Sequence, residues 1–270
     1  MTPGEEANGA RPATPPHVLL GVEGVTVRFG GVTALDDVRF EVGTRQICGL
    51  IGPNGAGKTT LFNCISRLYE PSAGGVSFEG QPLSGVPRSK IAKLGVARTF
   101  QNLALFSTMT VRQNVRVGAH AFARGGFFAE ALALPPARRA EREIAALADR
   151  LIEECRLEGV ADRLVGELPF GLRKRVELAR ALAISPKLLL LDEPAAGLNH
   201  EEVDALAQEI VSLRDRRSLS VLLVEHHMNL VMRVSDQVVA LDFGKLIAKG
   251  APAAVRAHPD VIRAYLGSAA

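Results

Sequence analysis

Tryptophan is absent from this 270-residue chain, and aromatic surface comes from only two tyrosines and 11 phenylalanines. A core of any size must therefore be largely aliphatic. Cysteine is scarce. Cys48, Cys64 and Cys155 are odd in number and widely spaced, which excludes a disulfide framework and any metal-ligand spacing. They fit a reducing compartment and read as small buried hydrophobes. No apolar run approaches the roughly 18 residues that span a membrane, so the chain reads as soluble and membrane association needs a partner. A formal net charge of +3 is too mild to argue for nucleic acid. Residues 1–16 lack the basic start and apolar stretch of a signal peptide, and their Pro, Gly and Ala content reads as a disordered tail.

What is present is a globular mixture, 47% hydrophobic and 23% charged, enough for one large domain with a sub-lobe. The first hundred residues hold short runs rich in Val, Ile and Phe, broken at glycine, which predict strands. A helix is expected from Lys58 through Tyr69. From about 102 to 170 the pattern changes: "ARRAEREIAALADRLIEECRL" sets apolar residues at helical spacing against a charged face, which predicts a helical subdomain. Strand–helix alternation resumes with "KLLLLDE", "HEEVDALAQEIVSLRDR", "SLSVLLVEH" and "MNLVMRVS", then a hairpin in "QVVALDFGKLIAKG" and a terminal helix in "DVIRAYLG". Continuous apolar strands alternating with helices imply a mostly parallel α/β sheet covered on both faces. The expected organisation is a core over 17–100 and 171–250, a helical subdomain over about 102–170, and a C-terminal helix over 251–267.

Two stretches carry chemistry. "GPNGAGKT", Gly52 to Thr59, matches G-x-x-x-x-G-K-[ST] between an apolar strand and a helical pattern. Gly52, Gly55 and Gly57 let the backbone of Asn54 and Ala56 curl tightly, so that successive N–H groups form an anion nest at a helix N-terminus. Lys58 is positioned to reach the β- and γ-phosphates of ATP, Thr59 to bind Mg²⁺, and Thr60 to touch the α-phosphate. Downstream, "LLLLDE" delivers Asp192 to the C-terminal end of a buried strand, where open α/β sheets bind ligands. Asp192 is expected to hold Mg²⁺, and Glu193 to polarise the attacking water.

Together these residues resemble the ATP-binding cassette superfamily of P-loop NTPases, over roughly residues 18–267. The resemblance implies a RecA-like parallel core with an antiparallel β part. It implies that Phe29 stacks on adenine, that Gln101 meets Mg²⁺ and the water, and that His226 contacts the γ-phosphate. "LPFGLRK" occupies the place of the signature loop, with Pro169 and Gly171 offered to the ATP of a second cassette, and "AAGLN" that of the loop crossing to that partner. "ARTFQNLALFSTMTVRQNV", "VEHHMNLVM", "HPDVIRAYLG" and the insertion "ARGGFFAEALALPPARRAERE" are similar to the cassettes of branched-chain amino acid importers. That implies an ATPase peripheral on the inner face of the cell membrane. It would work with integral permease subunits, a second cassette and, indirectly, a periplasmic or extracellular solute-binding protein, without nucleic acid.

The signature loop departs from its family. Pro169 stands where a serine is usual, Leu172 where a glutamine is usual, and Asn199 where an aspartate is usual. The missing donors weaken what this chain offers its partner, not its own phosphate loop. A heterodimer in which the partner brings a fuller signature loop accommodates this; a homodimer with two weakened sites is the competitor. An exporter of the lipopolysaccharide type and a soluble non-transport cassette ATPase are the rival functions. The first usually keeps the serine and lacks the insertion, and the second usually has two cassettes or a long coiled coil. The run "RKR" at 173–175 reads as a solvated helix face, His227 as surface, and Phe127 and Phe128 as candidates for the membrane partner or for packing.

Overall fold

The computed structural model describes residues 17–100, 103–119 and 135–266. The tail, Gln101, Phe127 and Phe128 lie outside them. The apolar runs of the first and last thirds form two sheets. Strands β1 (Val18–Phe29), β2 (Val32–Gly43), β4 (Ala73–Phe78) and β5 (Gln81–Pro82) make an antiparallel sheet in the order β2-β1-β4-β5. The second sheet runs β10-β9-β3-β8-β7-β6. It comprises β3 (Ile47–Ile51), β6 (Val96–Arg98), β7 (Leu188–Asp192), β8 (Ser220–Val224), β9 (Gln237–Asp242) and β10 (Lys245–Gly250). All its pairings are parallel except the β9–β10 hairpin.

Strands β3, β7 and β8 are buried at every position, as their continuous apolar sequences require. Their alternating side chains divide between two cores. Leu188, Leu190, Leu222 and Leu50 join Val25, Phe40 and Phe62 under the antiparallel sheet. Leu189, Leu191, Val221 and Leu223 face the helices on the other side.

Among the described residues the helices are α1 (Lys58–Ile65), α2 (Arg88–Leu94), α3 (Val111–Ala119), α4 (Pro135–Glu154), α5 (Phe170–Leu182), α6 (His200–Arg217), α7 (Met228–Val234), α8 (Pro252–Arg256) and α9 (Pro259–Leu266). Among the described residues, the stretch between β6 and α5 contains helices α3 and α4 and two short 3₁₀ turns. Arg217 of α6 pairs with Glu154 at the end of α4 and ties this helical part to the sheet.

Two expectations need correction. The helix after the phosphate loop stops at Ile65, short of Tyr69. The Ser66 hydroxyl donates to the Phe62 carbonyl at 2.6 Å, and Arg67 takes a left-handed φ of 57°, which turns the chain off the helix axis. The single C-terminal helix expected over 251–267 is two: α8, with Pro252 in its first turn, ends at Arg256, and α9 begins at Pro259, a residue whose ring disfavours helical backbone just before it.

Candidate functional site

The phosphate-loop sequence leaves β3, the strand between β8 and β9, and feeds α1. Two of its glycines, Gly52 and Gly57, answer to real crowding. Gly57 caps α1 with φ 100°, and a Cβ there would lie 2.7 Å from the Ala34 carbonyl oxygen. A Cβ on Gly52 would lie 2.3 Å from that of Leu241. The loop is braced from the β9–β10 turn, where the Gly244 N–H donates to the Ala56 carbonyl at 3.1 Å. Lys58 is 6% exposed, and its ammonium donates to the carbonyls of Gly52 at 2.6 Å and Pro53 at 2.9 Å. Burial pushes the Lys58 pKa down, and the nearby charges of Glu193 and Asp192 oppose that shift. Asn54, Gly55 and Thr59 are exposed, Thr60 is half-buried and Ala56 is buried.

The acidic pair sits two strands away. Asp192 ends β7 in register with Val224 at the end of β8. Its carboxylate is buried against Arg98, with Oδ2 2.9 Å from Nη2 and the two side chains 6% and 8% exposed. Arg98 also donates to Asn63 Oδ1 and Ser66 Oγ of the α1 segment, both at 2.8 Å. Its guanidinium lies over the rings of Phe62 and Phe100, 5.4 and 5.1 Å from the centroids. One cation thus joins β6, β7 and α1. Glu193 follows in a left-handed conformation, φ 50°, which is strained for a residue with a Cβ. Its Oε1 lies 2.7 Å from His226 Nε2, so the two residues expected to act on the γ-phosphate and the water are brought together.

Glu225, which sequence reasoning passed over, lies between these elements. It is 1% exposed. Its carboxylate accepts from the Ala195 N–H at 2.5 Å and from the N–H groups of His226 at 3.0 Å and His227 at 3.3 Å. It therefore clamps the start of the "AAGLN" loop to the histidine segment. A charged residue directly after four buried apolar residues, Val221 to Val224, was the available signal. His227 is exposed, as expected.

The signature segment is resolved into roles. Pro169 is the N-cap of α5 and makes no side-chain cap. Phe170 is exposed, and Leu172 is half-buried against the helical core. The reading of 173–175 as a solvated face is overturned. Arg173 donates to the carbonyls of Leu168 and Gly166. Lys174 Nζ lies 5.4 Å from the Phe170 ring centroid and donates to the Glu193 carbonyl at 2.9 Å. Burial pushes the Lys174 pKa down, against the pull of Glu177 and further acids. Side chains of α5 also hold the chain on both sides of residue 101. The Phe100 N–H donates to Glu177 at 3.0 Å, and Arg180 donates to the Ala104 carbonyl. Asn199 has a local reason to be asparagine. It forms a capping box on α6 with Glu202, its side chain accepting from the Glu202 N–H at 3.0 Å. Phe29 is 47% exposed and meets Tyr69 edge-on at 5.2 Å, so its ring is open to a stacking partner rather than part of the core.

Thr59 and Asp192 offer a hydroxyl and a carboxylate. Among the described residues no three or more His, Cys, Asp or Glu gather as a metal cage. A sparse set of oxygen donors beside a phosphate loop fits Mg²⁺, which takes one or two protein ligands and completes its shell from phosphates and water.

Comparison with known proteins agrees with this geometry. A family model described as "ABC transporter" matches residues 35–196, and a second, "Branched-chain amino acid ATP-binding cassette transporter", matches residues 245–270. The high-affinity branched-chain amino acid transport ATP-binding protein BraF of Pseudomonas aeruginosa is 45% identical over 93% of this chain and 98% of its own length. LivG of Escherichia coli, of the same description, is 43% identical with the same coverage. The crystal structure of a nucleotide-free ATP-binding cassette from an ABC transporter superposes with a TM-score of 0.80 at 28% identity, covering 92% of this chain and 98% of that one. The mostly parallel core with its antiparallel sheet is that of an ABC ATPase. This chain belongs to the ATP-binding cassette family of ABC transporters, in its branched-chain amino acid transport group.

Proposed function

We propose that this chain binds Mg²⁺-ATP on the loop Gly52–Thr60 and hydrolyses it with Glu193 as base, powering the import of branched-chain amino acids or similar small polar solutes. The observation that carries the reading is the Glu193–His226 contact of 2.7 Å at the ends of adjacent strands, two strands from the phosphate loop's own exit. Loop N–H groups and Lys58 hold the phosphates. Lys58 exchanges the carbonyls of Gly52 and Pro53 for phosphate oxygens, so binding costs little reorganisation of a cation already in place. The adenine stacks on Phe29. Mg²⁺ would be held by Thr59 and Asp192, with Gln101 a further candidate from the sequence, and would supply charge neutralisation on the phosphates. Glu193 takes a proton from the attacking water, and His226, beside it, steadies the γ-phosphate.

The chain works as one of two cassettes, with Pro169 and Gly171 presented to the ATP of the other. The missing serine and glutamine favour a partner of different sequence, and a homodimer is the alternative. Permease subunits dock on the helical part on the inner face of the cell membrane. Their state reaches the ATP site through the segment around Gln101, whose flanks are held by Glu177 and Arg180 of the signature helix. A periplasmic or extracellular solute-binding protein contributes indirectly, and nucleic acid has no part. Glu193→Gln is the direct test: ATP binding persists while turnover is lost, and turnover equal to wild type would refute the assignment of the base. Purification of the chain from its native membrane in mild detergent tests the assembly. Permease subunits with a second, different cassette support it; soluble partners alone overturn the transport reading.

A further inference from the structure

Helix α9 ends the described chain, 213 residues beyond the phosphate loop in sequence, yet its Tyr265 hydroxyl accepts a hydrogen bond of 2.9 Å from the N–H of Gly52. Gly52 is the residue at which the chain leaves β3, whose last partnered residue is Ile51 opposite Ala240. It is buried, holds φ 152° and has no space for a side chain. A buried N–H beyond the end of a ladder needs an acceptor, and the tyrosine supplies it. The carbonyl of the same glycine accepts from Lys58 Nζ at 2.6 Å. A single residue therefore joins the C-terminal helix to the lysine of the phosphate loop, with Tyr265 on its N–H and Lys58 on its carbonyl.

We propose that Tyr265 is a positioning residue for nucleotide binding, and that α9 is the arm that holds the entrance of the phosphate loop in its binding shape. The ring packs on the helical core, so the hydroxyl is delivered from a fixed support. Burial pushes the phenol pKa up, against the pull of the Gly52 N–H, which keeps the hydroxyl neutral at the Gly52 amide. When Lys58 leaves the Gly52 carbonyl for phosphate, the tyrosine still fixes the orientation of that residue, so the loop does not lose both anchors at once. The proposal gives a role to the helical end of the segment 245–270, which a family model of its own describes. It rests on assigning ATP to the loop.

Tyr265→Phe keeps the ring and removes the hydroxyl that accepts from Gly52. In full-length protein, titration with the fluorescent analogue TNP-ATP should give binding about threefold to tenfold weaker than wild type, the effect of one lost backbone hydrogen bond. In the assembled transporter KM for ATP should rise by the same factor while kcat stays within about twofold, because the bond to Gly52 acts at the entrance of the phosphate loop. The Gly52 amide should exchange with solvent faster in the variant. Unchanged affinity, unchanged exchange at Gly52, or a fall in kcat at constant KM would each overturn the proposal. A wild type that failed to bind TNP-ATP would sink the nucleotide assignment and the positioning role with it, whereas equal binding by both proteins sinks the positioning role alone.

Discussion

Replacing Arg98 by Met should be among the most damaging single changes outside the phosphate loop. The side chain is 8% exposed and its Asp192 partner 6% exposed, so the pair lies in a low-dielectric setting. Removing one member of such a pair leaves an uncompensated buried charge, a loss of about 3–5 kcal/mol. Met fills a similar volume, which isolates the electrostatic loss from a cavity. At about 2–4 °C per kcal/mol for a domain of this size, the melting temperature should drop by about 10 °C. Arg98→Lys should recover little, because an ammonium cannot reach Asp192, Asn63 and Ser66 together as the planar guanidinium does. The assay is a double-mutant cycle by thermal unfolding with Asp192→Asn. Each single change strands the other residue, so the double variant should lose much less than the sum, with a coupling of about 2 kcal/mol or more. Additivity within about 0.5 kcal/mol would refute the argument that Arg98 holds Asp192.

Pro169→Ser puts a hydroxyl back into the signature loop. A hydrogen bond to a charged phosphate is worth about 1.5 kcal/mol or more, roughly tenfold, so ATP turnover of the two-cassette assembly should rise by up to that factor. Turnover at the wild-type level would show that the hydroxyl is not what limits that site. Glu177→Gln tests a buried charge on the same helix. Burial raises the Glu177 pKa above the ordinary carboxylate value, with the Phe100 N–H opposing. A raised folded-state pKa gives stability that is complete below the unfolded value and lost as pH rises through the folded one. The variant should therefore gain in melting temperature over wild type as pH increases from about 4 toward neutrality, and a difference that is flat, or that grows on acidification, would contradict it.

The phosphate loop and the acidic pair were legible because their chemistry is written in consecutive residues. Backbone freedom at Gly52 and Gly57, a lysine at the helix start, and a carboxylate at the end of an apolar strand each demand a residue type at a set spacing. Long apolar strands likewise announced a parallel sheet, and their alternation even assigns Leu188–Leu191 to the two cores. Residues that act across the sequence were not legible. Arg98 reaches Asp192 over 94 positions, Glu225 reaches Ala195 over 30, and Tyr265 reaches Gly52 over 213. Each looks locally like an ordinary residue at the edge of an element. Lys174 was misread for the same reason. Helical spacing says which face a side chain is on, but nothing in the run "RKR" says that this face meets the Glu193 carbonyl.

These unread residues share a task, and it bears on how ATP could move the cassette. Glu193 ends at His226 through its carboxylate and at Lys174 of the signature helix through its carbonyl. Glu225, next to His226, holds the N–H of Ala195 in the loop that follows Glu193. Glu193, His226, Glu225 and Ala195 therefore form one closed circuit of contacts around the ends of β7 and β8, and the signature helix joins it at Lys174. A γ-phosphate that draws His226 away from Glu193 cannot do so without loading Glu225, and through it Ala195. The same strain at Glu193, already in a left-handed conformation, reaches α5 at Lys174. Glu193 and His226 are thus joined by direct hydrogen bonds to the loop that follows Glu193 and to the signature helix, and a ligand that prefers one arrangement of these contacts would shift the elements together.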